Sequence, residues 1–253
     1  MTSTRATILQ ASGLVKEFFG FTAVEGVDLN IVEGTIHALI GPNGAGKTTV
    51  FNLLTNFLKP TAGRVMYEGR DIAGLPPAHT ARLGLVRSFQ ISAVFGHLSA
   101  RENVRVALQR RAGEGMRFWR SETCLARYND EADALLEAVG LREHGSVLAA
   151  ELPYGRKRAL EIATTLALEP KIILLDEPTA GMDSAGTKQV TDLIKQISAN
   201  RTILMVEHNM SVVSEICDTI TVLARGAVIA EGDYRSISTN PAVREAYLGS
   251  GHE

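Results

Sequence analysis

The chain has 253 residues, 45% hydrophobic and 21% charged, with a formal net charge of −2 and a pI near 6.3. That is enough chain to bury a sizeable core as one large domain or two small ones, and the near-neutral balance supplies no basic field for a nucleic-acid partner. Cys124 and Cys217 match no CxxC pattern, residues 1–12 lack a signal-peptide layout, and no stretch approaches the roughly 20 apolar residues that span a bilayer. A reduced, intracellular compartment is the expectation.

In chain order, residues 6–15 and 27–32 read as short strands and 33–34 as a turn. Residues 35–40 read as a strand entering a glycine-rich loop. A helix is predicted over 47–58, stopping before Pro60, and a glycine-bounded hairpin-like piece over 63–69. From about 99 to 168 the pattern turns helical, with segments at 100–111, 130–141 and 156–168. A polar, glycine-containing loop lies between the first two. The last third alternates: strand 171–176, helix 184–200, strand 202–208, helix 210–217, then a hairpin of 219–224 and 227–232 around Arg225-Gly226. Such alternation predicts an α/β fold with a mostly parallel sheet. It is preceded by an antiparallel β part and carries the helical block as an insertion, all within one domain over 1–253.

Gly41, Pro42, Asn43, Gly44, Ala45, Gly46, Lys47 and Thr48 fit GxxxxGK[ST], followed by Thr49. Chance alone gives such a match about once in a hundred chains of this length. The glycines let the backbone curl so that successive N–H groups face phosphate, and the helix start adds about half a positive charge. Lys47 supplies a full charge for the β and γ phosphates, and Thr48 a hydroxyl for Mg²⁺. Downstream, Ile172 to Leu175 form an apolar run ending in Asp176-Glu177, two carboxylates at a strand end where open parallel sheets bind ligands. Asp176 is the candidate Mg²⁺ ligand, through its water shell. Glu177 is the candidate group that polarises an attacking water.

Three further features are individually bland: Gln90 in RSFQ, the loop ELPYGRKR at 151–158, and His208 after a strand. Their order is not. Phosphate loop, glutamine, glycine-bearing loop entering a helix, Asp-Glu strand, Gly181-Met182-Asp183 turn, strand and histidine resemble ABC-type ATPases over almost the whole chain. The resemblance implies a P-loop NTPase core that binds ATP and Mg²⁺ and hydrolyses ATP. It implies that Gln90 senses Mg²⁺ and the γ-phosphate and links to a membrane partner, and that His208 contacts the γ-phosphate. Phe18, with Phe19 as a neighbouring possibility, would lie against adenine. Residues 152–156, LPYGR, stand where the family has LSGGQ, a loop that closes on the nucleotide of a second ATPase subunit. Pro153 cannot donate from side chain or backbone and Tyr154 is bulky, so Gly155 is expected to carry most of the remaining contact in trans.

The LPYG variant, the GPNGAGKTTVFNLLTNFLKPTAG segment, VRSFQ with LSARENV, the long loop near Trp119 and the tail NPAVREAYLG at 240–249 narrow the resemblance. They point to ATPases of branched-chain amino acid uptake. The tail is weighed most because it is expected to lie outside all ATP chemistry. Urea, amide and lipopolysaccharide-export ATPases are the alternatives. The implied partners are permease subunits, a like or unlike second ATPase and a solute-binding protein. The implied place is the cytoplasmic face of the inner membrane. A GTPase reading has one motif, DxxG at Asp183–Gly186, but lacks [NT]KxD, since Gln189-Val190 follow Thr187-Lys188. ABC ATPases of DNA or ribosomes usually carry two cassettes or a coiled coil, and this chain has neither.

Overall fold

The computed structural model describes residues 6–88, 94–113 and 127–248; Gln90 and Trp119 lie outside the described residues. β1 (Thr7–Phe18) and β2 (Phe21–Val32) pair antiparallel, and β4 (Ala62–Tyr67) and β5 (Arg70–Asp71) complete a four-stranded sheet ordered β2-β1-β4-β5. One face of this sheet is apolar: Leu9, Ala11 and Leu14 alternate with more exposed neighbours along β1.

The second sheet has six strands in the order β10-β9-β3-β8-β7-β6. They are β3 (Ile36–Ile40), β6 (Leu85–Arg87), β7 (Ile172–Asp176), β8 (Thr202–Val206), β9 (Thr219–Ala224) and β10 (Ala227–Gly232). All neighbours are parallel except the β9–β10 hairpin. β3, β7 and β8 are buried at every position, as strands covered on both faces must be. Their side chains divide strictly. Ile173, Leu175, Ile203 and Met205 join one core, with α3 (Ala100–Arg111), α4 (Asn129–Ala138), α5 (Tyr154–Leu166), α6 (Ser184–Ser198) and α7 (Met210–Ile216). Ile172, Leu174, Leu204 and Val206 join the other, with α1 (Lys47–Leu54) and the antiparallel sheet. Each such side chain contributes about 1.5–3 kcal/mol by burial, which fixes the register of three strands whose ends carry the site.

The differences from expectation are local. α1 ends at Leu54 rather than 58, because Asn56 turns left-handed at φ 59°. α2 (Pro77–Arg82) and β6 are additional. The tail forms α8 (Tyr234–Thr239), capped by Asp233 on Ser236 N, and α9 (Pro241–Leu248). The helices α3 to α5 fall between the adjacent parallel strands β6 and β7.

Candidate functional site

The phosphate loop leaves the C-terminal end of β3, a central strand, and enters α1. Two of its glycines are dictated by close approach. A Cβ on Gly41 would stand 2.2 Å from Leu223 O, and one on Gly46, at φ +100°, 2.7 Å from Ala23 O. Gly46 begins α1 without a side-chain cap, so the first-turn N–H groups stay available for an anion. Lys47 is buried, and its Nζ donates to Gly41 O at 2.8 Å and Pro42 O at 2.9 Å. Burial pushes its pKa down, while Glu177 and Asp176 oppose that shift. A cleft of about 280 Å³ opens over the loop, lined by Asn43 to Thr49 together with Phe21, Ala23, Glu177 and His208.

Parallel pairing brings the other groups to the same edge, since β7 ends in Asp176-Glu177 and β8 leads into Glu207-His208. His208 Nε2 donates to Glu177 Oε1 at 2.8 Å. Glu177 has a left-handed backbone, φ 46°, which costs a side-chain-bearing residue about 1–3 kcal/mol; its N–H donates to Val206 O at 2.9 Å. Asp176, 1% exposed, accepts from Arg87 Nη2 at 2.6 Å. Arg87 also donates to Asn52 Oδ1 and lies 5.7 Å from the Phe51 ring centre.

The structure thus assembles Gly41 to Thr49, Asp176, Glu177 and His208 at one sheet edge. Gly155 does not line this cleft. It sits in the first turn of α5, next to exposed Tyr154, with open space where a Cβ would be, and Pro153 gives that helix no side-chain cap. Asp183 caps α6 by accepting from Gly186 N at 2.8 Å, so the DxxG match is occupied in starting a helix. Phe18 is not among the residues lining the cleft. Its cross-strand partner Phe21, 68% exposed, is, while Lys16 Nζ lies 5.0 Å from the Phe18 ring centre.

Four residues escaped sequence reasoning: Phe21, Arg87, Arg158 and Glu207. Glu207 organises the turn into α7, accepting from Thr179 N and the Thr179 hydroxyl and from the N–H groups of His208 and Asn209. Glu161 carried a signal, a carboxylate inside the otherwise apolar run ALEIA, three residues after Arg158 at the helical i,i+3 spacing of a charged pair. The tail also departs from expectation. Ala242, Glu245 and Ala246 of α9 line a cavity of about 460 Å³ with Pro42 to Ala45, and the Tyr247 phenol oxygen accepts from Gly41 N–H. The tail therefore packs against the phosphate loop rather than apart from it.

Comparison with known proteins adds to this geometry. Residues 24–180 match the profile of the family described as ABC transporter, and residues 227–253 that described as branched-chain amino acid ATP-binding cassette transporter. The chain is 41% identical over 249 residues to the high-affinity branched-chain amino acid transport ATP-binding protein LivG of Escherichia coli K12, covering 96% of this chain and 98% of that one. The fold is similar to the ADP conformation of an ATP-binding cassette of an ABC transporter, with a TM-score of 0.84, 29% identity and coverage of 96% and 99%. It is also similar to a dimeric cassette in a post-hydrolysis state with ADP and Pi, with a TM-score of 0.75, 26% identity and coverage of 90% and 99%.

Proposed function

This chain belongs to the ABC transporter family, and we propose that it is the ATP-hydrolysing subunit of a membrane importer for branched-chain or other hydrophobic amino acids. The observation that carries the solute class is the match over residues 227–253, a segment whose sequence contains none of the nucleotide motifs.

Each role follows from the chemistry of the placed group. The loop N–H groups and Lys47 bind the phosphates of ATP; Lys47 now spends its charge on loop carbonyls and exchanges them for phosphate oxygens. Glu177 orients and polarises the attacking water and takes its proton as the bond to the γ-phosphorus forms, while the bond from that phosphorus to the β–γ bridging oxygen breaks and ADP departs from phosphate. His208, already bonded to Glu177, holds that carboxylate and reaches the γ-phosphate. Among the described residues, no group of three His, Cys, Asp or Glu side chains is arranged to hold a metal ion. Mg²⁺ keeps water and takes substrate phosphate oxygens as ligands, so a hydroxyl and a carboxylate at this edge are donors of the right kind. Thr48 and Asp176 would hold it, with Gln90 as the third protein group, and it would neutralise charge on the phosphates. Phe21 is the aromatic we assign to the base, in place of Phe18.

Two such subunits, like or unlike, face each other, each supplying Gly155 at the uncapped start of α5 to the nucleotide of the other. The dimeric relative and the open space around Gly155 support this. Among the described residues, no helix is long and apolar enough to cross a membrane. From the family likeness we assign attachment at the cytoplasmic face of the inner membrane to docking on permease subunits, through residues just after Gln90. A solute-binding protein would complete the importer.

The test is uptake of labelled leucine by proteoliposomes holding the permease subunits, this chain and the binding protein. ATP should drive accumulation, and Glu177→Gln should abolish it while ATP still binds. ATP-driven movement of urea or an amide with no uptake of leucine, isoleucine or valine would overturn the solute class. Turnover of ATP by Glu177→Gln at the wild-type rate would overturn the catalytic assignment.

A further inference from the structure

Arg158 is 5% exposed, one turn into α5, the helix whose N-terminal turn holds Gly155. Its side chain does not stay on that helix. Nη2 donates to Asp176 O at 3.2 Å and to Glu177 O at 3.3 Å, while Nη1 donates to Glu161 Oε2 at 2.6 Å. Glu161 is 4% exposed, and its other carboxylate oxygen has no hydrogen-bond partner. A buried ion pair is therefore retained where apolar packing of similar volume is often no less stable. Its charge is spent on two backbone carbonyls at the end of β7, where Glu177 takes its left-handed conformation.

We propose that Arg158 is a positioning residue for hydrolysis. By gripping the carbonyls of Asp176 and Glu177 it holds the strained backbone that aims the Glu177 carboxylate, and it does so from the helix that begins at Gly155. This rests on the assignment of Glu177 above. The planar fork is what the position requires, because it bonds Glu161 Oε2 and both carbonyls at once. An ammonium is a point donor on a flexible stem and cannot reproduce that array. Glu177 is held from two sides, by Arg158 through its carbonyl and by His208 through its carboxylate. The start of α5 and the catalytic carboxylate of the same chain are thereby joined by one side chain.

The experiment uses the full chain with two variants. Arg158→Met/Glu161→Met replaces the pair by apolar groups, and Arg158→Lys keeps the charge for Glu161 but not the fork. Three quantities are read for each: melting temperature, equilibrium affinity for fluorescent ATP, and kcat. The double variant should melt within a few degrees of wild type and bind ATP within twofold, yet lose kcat by tenfold or more. Arg158→Lys should show the same split, and it decides the matter if the double variant does not fold. A purely structural pair predicts the opposite, with kcat within twofold of wild type wherever stability is kept, and that result overturns the proposal. Glu177→Gln in the same assay separates the two assignments: retained turnover there removes the role of Glu177, whereas its loss alongside full activity in the Arg158 variants removes only that of Arg158.

Discussion

At the scale of single residues, the glycines of the phosphate loop were legible because they fall in one contiguous motif, although the contacts that demand them at 41 and 46 come from Leu223 and Ala23 on distant strands. A Cβ at position 41 or 46 meets backbone oxygen at 2.2 or 2.7 Å, and no rearrangement of a neighbouring side chain relieves that contact. Which aromatic residue faces the phosphate loop was not legible in the same way. Phe18, Phe19 and Phe21 stand within four positions, and only the hairpin turn decides which ring faces the loop. Phe19 points wholly to solvent, Phe18 lies beside Lys16, and Phe21 lines the cleft. Stacking of a base on an aromatic ring is worth about 1–3 kcal/mol. Phe21→Ala should therefore weaken ATP binding by roughly 5-fold to 100-fold in a fluorescence titration, and Phe18→Ala by no more than about twofold. Equal losses in the two variants would return Phe18 to candidacy.

At the scale of elements, β3 carries a polar residue where both faces are covered. His37 is 1% exposed, and its Nε2 donates to Thr221 Oγ1 at 2.7 Å, whose hydroxyl donates in turn to Glu231. Burial pushes its pKa down from 6.5 to about 4. As pH falls, the unfolded chain takes up this proton before the folded one does. The stability tied to neutral His37 is therefore complete above about pH 6.5 and is lost progressively toward pH 4, a change on the order of 3 kcal/mol. Urea denaturation between pH 7.5 and 4.5 should show a slope that His37→Gln flattens; identical slopes would refute the assignment. The elements themselves were legible where the pattern was long or sharply bounded. The β9–β10 hairpin falls at the expected residues because Arg225-Gly226 takes positive φ at both positions. β6 was not legible: three residues make too short a run, and only pairing with β7 gives it meaning. The tail helices did carry readable starts, with Asp233 as a cap and Pro241 at a first helical position. Their packing on the phosphate loop depends on the course of the β9–β10 hairpin, which no local pattern discloses.

At the scale of the whole molecule, the catalytic constellation is asymmetric. The loop, the carboxylates and His208 share one sheet edge, while Gly155 opens onto space that this chain does not fill. If two copies meet around a two-fold axis, each site takes its phosphate loop from one copy and its α5 start from the other. Lys47→Ala disables a site through the copy that supplies the loop, and Gly155→Asp disables it through the copy that supplies the helix, by setting a carboxylate against the γ-phosphate. Each variant alone should be inactive, because both of its sites are broken. In a mixed dimer, one site combines both defects and the other combines the intact loop of the Gly155→Asp copy with the intact helix of the Lys47→Ala copy. Equal mixing places about half of the dimers in that state, so ATPase activity should recover to about a quarter of wild type if the two sites turn over independently. Recovery on mixing two inactive proteins has no explanation in a site confined to one chain. Absence of recovery, with exchange of subunits verified by a tagged copy, would exclude two independently working sites shared between copies of this chain, and leave either sites that must both be intact or an unlike ATPase subunit as the partner that Gly155 serves.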